Sequence, residues 1–183
     1  INASTIKLPS VSDDNAFAFA KKNRSRLFHN TPIIFCGLNN YSPSALQGFT
    51  GITGVAEAFE PRNTLDLILN LFPNTERLIL VAGTTVTAGI NLKKLHNELP
   101  AYSKRFLHKE VIFSSRSQLQ EELQLANDNT VIILVSMLNE PGGHYYTVED
   151  SIKMLKQATS RPIFTFWDFV IAKTPVLGGN VIS

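Results

Sequence analysis

Cysteine is almost absent from this sequence, and that absence excludes two kinds of stabilisation. The 183 residues contain a single cysteine, Cys36, so the chain can form neither an intrachain disulfide nor a zinc site built on cysteines. Long hydrophobic runs are also lacking, and no apolar stretch reaches the roughly 18 residues of a membrane-spanning helix. We expect Cys36 to be a small buried residue, because it ends the apolar run Ile33–Phe35.

An excess of charge of one sign is the next absence. Lys and Arg number 17 and Asp and Glu number 15, which gives a net charge of +2. A balance this close to neutral gives no electrostatic argument for binding nucleic acid or an anionic membrane surface. The longest basic cluster, Lys21, Lys22, Arg24 and Arg26, is interpreted as the solvated face of a helix.

The sequence does contain enough apolar material for a core. Hydrophobic residues make up 44% of the chain, which excludes a disordered polypeptide. Five short segments rich in Val and Ile are typical of strands covered on both faces of a parallel sheet. They are Ile33–Gly37, Arg77–Gly83, Glu110–Phe113, Thr130–Met137 and Pro162–Trp167.

Segments with helical periodicity alternate with these strands. They are Asp14–Phe28, Pro61–Phe72, Ala88–Leu99, Gln118–Ala126 and Val148–Thr159. The alternation predicts an α/β fold with a doubly wound parallel sheet and right-handed crossovers.

Two stretches break this alternation. Ile1–Val11 is a poor strand because Pro9 interrupts it, and Asn39–Phe59 is a long glycine-containing connection of the kind that is usually functional. One strand and one helix before that connection cannot form a lobe. Either residues are missing upstream or another chain completes the sheet, and we favour the first explanation.

Polar residues follow the predicted strands at the edge where open α/β sheets bind ligands. They are Asn39, Asn40 and Tyr41; Thr84, Thr85 and Thr87; Ser114, Ser115 and Arg116; Asn139, Glu140 and His144; and Trp167 and Asp168. These residues form hydrogen bonds but include no evident nucleophile and base, so the pattern favours binding over catalysis. Thr84 or Thr87 is expected to cap the helix that follows, in preference to an anion site at its start.

Six spaced motifs together resemble the ABC-transporter substrate-binding-protein-like sensor domains of bacterial sensor histidine kinases and diguanylate cyclases. They are Val11–Ala16 (VSDDNA), Phe35–Tyr41 (FCGLNNY), Gly54–Glu57 (GVAE), Phe72–Thr75 (FPNT), Phe166–Phe169 (FWDF) and Leu177–Gly179 (LGG). The sequence departs from the family after Trp167 and Asp168, where Lys173 and Pro175 replace a glycine-rich stretch.

The resemblance implies a type I periplasmic-binding-protein fold, with two lobes and a ligand cleft between them. Residues 1–53 would be the tail of an incomplete first lobe, 54–165 the second lobe, and 166–183 a hinge crossing that returns to the first lobe. The implied location is the periplasmic side of a bacterial inner membrane, with membrane attachment through segments outside this chain. No cofactor and no nucleic-acid partner is implied, and a homodimer stays open.

The implied function is ligand sensing without catalysis, in which lobe closure on a small organic solute, such as an amino acid, produces the signal. Its expected ligand-binding residues are Asp13, Asn39, Asn40 and Tyr41 from the first lobe, and Glu57, Thr84, Thr85, Asn139, Trp167 and Asp168 from the hinge and second lobe. Carboxylates would bind ammonium or hydroxyl groups, and Tyr41 and Trp167 would form an apolar wall.

Three alternatives stay open at this point. The chain could be the free solute-binding protein of an ABC importer, which this sequence does not distinguish from a sensor. An enzyme on the same sheet would have Asp168 and His144 as its only candidate pair. A repressor effector domain would need a basic helix-turn-helix before Ile1.

Overall fold

A computed structural model of the chain describes residues 8–29, 31–38, 41–56, 60–172 and 174–182. The chain divides into two compact units, Ile1–Ala58 and Phe59–Ser183. The observed division lies a few residues after the predicted one, which placed the second domain from residue 54. Each unit contains one parallel sheet with helices, which confirms the predicted α/β class.

The first unit has a three-stranded parallel sheet in the order β1-β2-β3. Its elements are β1 (Ser10–Ser12), α1 (Asp13–Lys22), a π-helical segment (Arg24–Phe28), β2 (Ile33–Leu38), a 3-10 helix (Pro43–Leu46) and β3 (Ile52–Ala56). The predicted first helix is therefore two segments, and the predicted strand at residue 33 is confirmed.

Two strands of this unit contradict the sequence prediction. β1 forms although Pro9 precedes it, because Pro9 only accepts a hydrogen bond from the Ile34 N–H at 3.0 Å and needs no N–H of its own. β3 lies inside the predicted long connection. Gly54 permits its close pairing with β2, because a Cβ at that position would lie 1.9 Å from the Phe35 carbonyl oxygen.

The predicted solvated basic face is also partly wrong. Lys21 donates to the Ala45 carbonyl oxygen at 2.6 Å, and its ammonium lies 5.2 Å from the Phe49 ring centroid. Arg24 donates to the carbonyl oxygens of Thr31 and Thr50. These two cations therefore tie α1 and the π-helical segment to the connection that carries β3.

Cys36 is exposed, so the prediction that it is buried is wrong. Successive residues of a strand point to opposite faces of the sheet. Phe35 packs with Phe17 of α1, whereas Ile34 and Cys36 lie on the other face, which no described element covers. A register shift after Phe35 brings Leu38 into the same cluster as Phe35.

The second unit has a five-stranded parallel sheet in the order β5-β4-β6-β7-β8. Its elements are α2 (Pro61–Leu71), β4 (Arg77–Ala82), α3 (Val86–Glu98), a 3-10 helix (Leu99–Tyr102), β5 (Leu107–Ile112), α4 (Arg116–Gln124), β6 (Thr130–Leu134), α5 (Val148–Ala158), β7 (Ile163–Trp167), α6 (Asp168–Ile171) and β8 (Leu177–Ile182). The four strands and four helices predicted for this region are confirmed, with shifts of up to three residues at their ends.

β8 differs from the expectation that residues 166–183 return to the first lobe. It pairs in parallel with β7, with Phe164 opposite Leu177 and Thr165 opposite Gly178. Residues 177–182 therefore belong to the second unit's sheet, and the short helix α6 makes the crossover.

Two buried clusters cover the two faces of this sheet, as the continuous apolar strands predicted. Residues of α2 and α3 pack on one face against Phe164 and Phe166. Residues of α4 and α5 pack on the other face against Ile132 and Leu134. Within the described residues, no helix has the length and apolar character needed to cross a membrane.

Candidate functional site

The second sheet has a topological switch point between β4 and β6. The chain leaves β4 through α3 for β5 on one side, then returns past β4 through α4 to β6 on the other side. Loops that leave such neighbouring strands in opposite directions open a crevice beyond their carboxyl ends. The loops that flank it here are residues 83–85 and 135–147.

Two of the predicted ligand-binding residues meet at this switch point. The Asn139 side chain accepts a hydrogen bond from the Thr84 N–H at 2.8 Å and donates to the Thr84 hydroxyl at 2.6 Å. It also donates to the Glu140 carbonyl oxygen at 3.4 Å. Because Asn139 is buried and its amide is engaged on both atoms, it acts mainly as a clamp between the two loops, and Thr84 is the exposed member of the pair.

Gly83 and Ser136 bring the same two loops into close contact. The Gly83 N–H donates to the buried Ser136 hydroxyl at 2.8 Å. A Cβ on Gly83 would lie 2.3 Å from the Asn139 Oδ1 and 2.5 Å from the Met137 carbonyl oxygen, so only glycine allows this approach. Sequence reasoning missed Ser136, which lies inside the strand predicted to run to Met137.

Thr85 has a local role at the start of α3. Its hydroxyl accepts the Ala88 N–H at 3.1 Å, which is an N-cap hydrogen bond. The expectation that Thr84 or Thr87 caps this helix is therefore wrong, and the side-chain oxygen of Thr85 is already engaged.

A second polar group lies on the same edge, where β5 and β6 end. The Arg116 guanidinium lies 5.5 Å from the Tyr146 ring centroid, and the Tyr146 hydroxyl donates to the Glu140 carboxylate. The His144 ring packs edge-on against Tyr146 at 4.8 Å between centroids. Donation to Glu140 is the main cause that raises the pKa of the Tyr146 phenol, so the phenol stays protonated at neutral pH.

A short hairpin positions this group. The Glu140 N–H donates to the His144 carbonyl oxygen at 2.9 Å, and the Tyr146 N–H donates to the Leu138 carbonyl oxygen at 3.0 Å. Gly143, with φ of 89°, makes the turn between them. Phe113 supports the Tyr146 ring from below, edge-on at 5.6 Å between centroids. Sequence reasoning missed Tyr146, although the polar residues that it singled out after this strand ended only two residues earlier, at His144.

Trp167 also lies at the carboxyl edge, as the last residue of β7. Its ring packs against the cluster under α4 and α5, and lies edge-on to Phe166 at 6.4 Å between centroids. It is half-buried, so part of the ring packs in the core and part is exposed. Asp168 opens α6, and its side chain lies outside the described part of the structure.

Asp13 and Tyr41 belong to the first unit. Asp13 has a left-handed backbone, with φ of 72°, and its carboxylate accepts the N–H groups of Asn15 and Ala16 at 2.7 and 3.1 Å. It therefore caps α1 at the carboxyl end of β1, a position where aspartate is tolerated. Tyr41 is exposed and its ring lies 5.4 Å from that of Phe35. The predicted residues Asn39, Asn40 and Glu57 lie outside the described residues.

One cavity of the second unit lies away from this edge. It has a volume of about 280 Å³ and is lined by residues before the strands, including Phe72, Thr75, Asn129 and Pro162. That is the amino edge of the sheet, so none of the predicted ligand-binding residues lines it. No group of three or more His, Cys, Asp or Glu side chains within the described residues could hold a metal ion.

Comparison with known proteins supports the fold. The chain is similar to the crystal structure of a conserved domain protein from Vibrio cholerae O1 biovar El Tor strain N16961, with a TM-score of 0.63 and 17% sequence identity. The likeness covers 93% of this chain and 57% of that chain, so this chain spans little more than half of its neighbour's length. At this identity the likeness shows an α/β fold alone. No protein-family model and no curated protein matches the sequence.

Proposed function

We propose that this chain is part of an extracytoplasmic ligand-sensing domain of a bacterial signal-transduction receptor, and that it binds a small organic solute. The type I periplasmic-binding-protein lobes belong to the same proposal. Binding would be the role of this chain, and any output reaction would belong to other parts of the receptor.

One observation carries the proposal. Four described polar groups, Thr84, Arg116, Glu140 and Tyr146, lie together at the switch-point edge of the second sheet, which is the edge where open α/β sheets bind ligands. They come from three loops: Asn139 ties the loop of Thr84 to the loop of Glu140 and Tyr146, and Arg116 contacts Tyr146 through its ring, so much of the arrangement is formed before any ligand arrives.

A thermal-shift screen of the full chain tests this proposal. The panel holds amino acids, sugars, nucleosides and small carboxylates. A ligand at 100 times its dissociation constant adds about 2.7 kcal/mol to the free energy of unfolding, which raises the Tm by several degrees. We expect one chemical class to produce such a shift, and no shift across the panel would argue against solute binding.

A pair of variants locates the site once a ligand is found. Trp167→Ala is expected to weaken binding, because Trp167 ends β7 at the carboxyl edge. Leu107→Ala is the control, because Leu107 is exposed and begins β5 at the opposite edge. Since Trp167 also packs on the core, affinity is measured by calorimetry at a temperature where circular dichroism shows both variants folded. Equal affinity in both variants would contradict the assignment of the site to this edge.

A further inference from the structure

The carboxyl edge of the second sheet contains a cation, Arg116, that forms no ion pair with a carboxylate of the described residues. Arg116 is the exposed first residue of α4, and within the described residues the ion pairs of the chain join other groups. The nearby Glu140 carboxylate accepts the Tyr146 hydroxyl instead. Arg116 therefore keeps most of its five N–H donors for another acceptor.

The position of Arg116 is electrostatically unfavourable for the helix alone. The N-terminus of a helix carries partial positive charge and favours acidic residues. α5 has Glu149 and Asp150 in its first turn, whereas α4 has no acidic residue there and begins with Arg116. Departures from such local rules are expected at functional sites.

The Tyr146 ring orients this arginine. Its centroid lies 5.5 Å from the guanidinium carbon, and the ring is itself fixed by Phe113 below and Glu140 at its hydroxyl. A guanidinium held on an aromatic face loses less side-chain entropy when it binds, and its fork matches the two oxygens of a planar anion. The contact with Tyr146 therefore orients the Arg116 guanidinium before a ligand binds.

We propose that Arg116, positioned by Tyr146, binds an anionic group of the ligand, either a carboxylate or a phosphate. This inference rests on the proposed function, because it names the chemistry of the solute that the same edge would bind. Thr84, the exposed member of the Asn139 clamp, would then contact a neutral polar part of the same solute.

Matched pairs of solutes test the inference on the full chain. Succinate is compared with succinamide, glycine with glycinamide, and glycerol 3-phosphate with glycerol, by calorimetry and thermal shift. Within each pair only the anionic group changes, and the pairs separate a carboxylate from a phosphate. In at least one pair we expect the member that carries the carboxylate or phosphate to bind, and the member that lacks it to bind at least about tenfold more weakly.

Three variants then assign that preference to a residue. Arg116→Gln is expected to abolish the difference between the two members of the pair, and Arg116→Lys to keep only part of it because lysine lacks the planar fork. Arg105→Gln removes the same charge from an exposed site at the amino edge, before β5, and is expected to leave the preference unchanged.

The outcomes separate the two proposals. A ligand that binds wild type and Arg116→Gln with equal affinity would overturn the anion inference and leave solute binding intact. Equal loss in Arg116→Gln and Arg105→Gln would overturn it too, because it would show a general effect of net charge. Absence of binding for every solute, in these pairs and in the wider screen, would overturn both.

Discussion

The two sheets of this chain differ in how many of their faces are covered. In the second unit every residue of β6 is buried, because α2 and α3 pack on one face of the sheet and α4 and α5 on the other. In the first unit α1 covers one face, and the other face exposes 39% of Ile34 and 72% of Val55. The same kind of apolar strand, β2 or β6, thus lies in two different environments.

The difference shows that a continuous apolar strand sequence does not by itself establish that both faces of its sheet are covered. Residues 131–134 are apolar and are covered on both sides, which is the arrangement that such a run predicts. Residues 33–36 read almost the same, yet Ile34 and Cys36 have no covering layer among the described residues. A layer that covered the second side of this sheet would lie on the face that carries Ile34, Cys36 and Val55.

The largest expected effect concerns the cores. Phe164 is fully buried between α2 and α3 and packs edge-on against Phe72 at 5.9 Å, so Phe164→Ala should lower the free energy of unfolding by about 3–5 kcal/mol. Phe35→Ala is the matched change in the first unit, where the described residues of the buried cluster are Phe17, Phe35 and Leu38. Its cost should be smaller, because fewer neighbours lose contacts.

Native-state hydrogen exchange measures both changes in the same experiment. The slowest amides of β7 report on Phe164→Ala, and those of β2 report on Phe35→Ala. If Phe35→Ala lowered the free energy of unfolding as much as Phe164→Ala does, the two cores would be equally stabilising. The number of covered faces would then not explain a difference in stability between the two units.

The next largest expected change in the free energy of unfolding concerns a side-chain hydrogen bond between two helical segments of the second unit. The Tyr102 hydroxyl donates to the Asp66 carboxylate at 2.6 Å. Burial, and next this hydrogen bond, raises the pKa of Tyr102 from 10.0 to about 12. A phenol whose pKa is higher in the folded chain contributes stability that is complete below the unfolded pKa and is lost as pH rises.

Tyr102→Phe should therefore cost about 1 kcal/mol at neutral pH and less at high pH. The window is set by the shift, so the difference between wild type and variant should shrink between pH 10.0 and about 12. Urea unfolding at several pH values measures it. A difference that stays constant through this window would show that the hydroxyl stabilises the fold without the carboxylate of Asp66.

Much of the second unit is predictable from the sequence, because its strands are apolar on both faces and Thr147 and Ser115 cap their helices through visible motifs. β1, β3 and β8 were missed because tertiary pairing, not local pattern, makes them strands. Gly54 illustrates this, since glycine disfavours a strand locally but is required by the approach of Phe35.

The sequence predicts the edge of the sheet at which the candidate site lies, but not the contacts that its side chains make there. Thr84 and Asn139 each follow a strand, so their meeting at one edge follows from a parallel sheet. That Thr84 engages both atoms of the Asn139 amide depends on the close approach at Gly83, and that Asp13 caps its own helix depends on a left-handed φ of 72°. Neither is readable from residue order, because both depend on tertiary positions or single dihedral angles.

The smallest expected effect is that of Val55→Thr, and its comparison with Val81→Thr tests the difference between the two sheets most directly. Valine and threonine have nearly the same shape, so Val→Thr adds a hydroxyl and little else. Val81→Thr, inside β4, should cost about 1–3 kcal/mol because the hydroxyl would be buried. Val55→Thr, on the uncovered face of β3, should change the free energy of unfolding by less than about 0.5 kcal/mol. Chemical denaturation followed by circular dichroism compares the two. A cost at Val55 near that at Val81 would mean that this face is covered in solution, either by a second copy of the chain or by residues not described here, and dilution would distinguish these because only association depends on concentration.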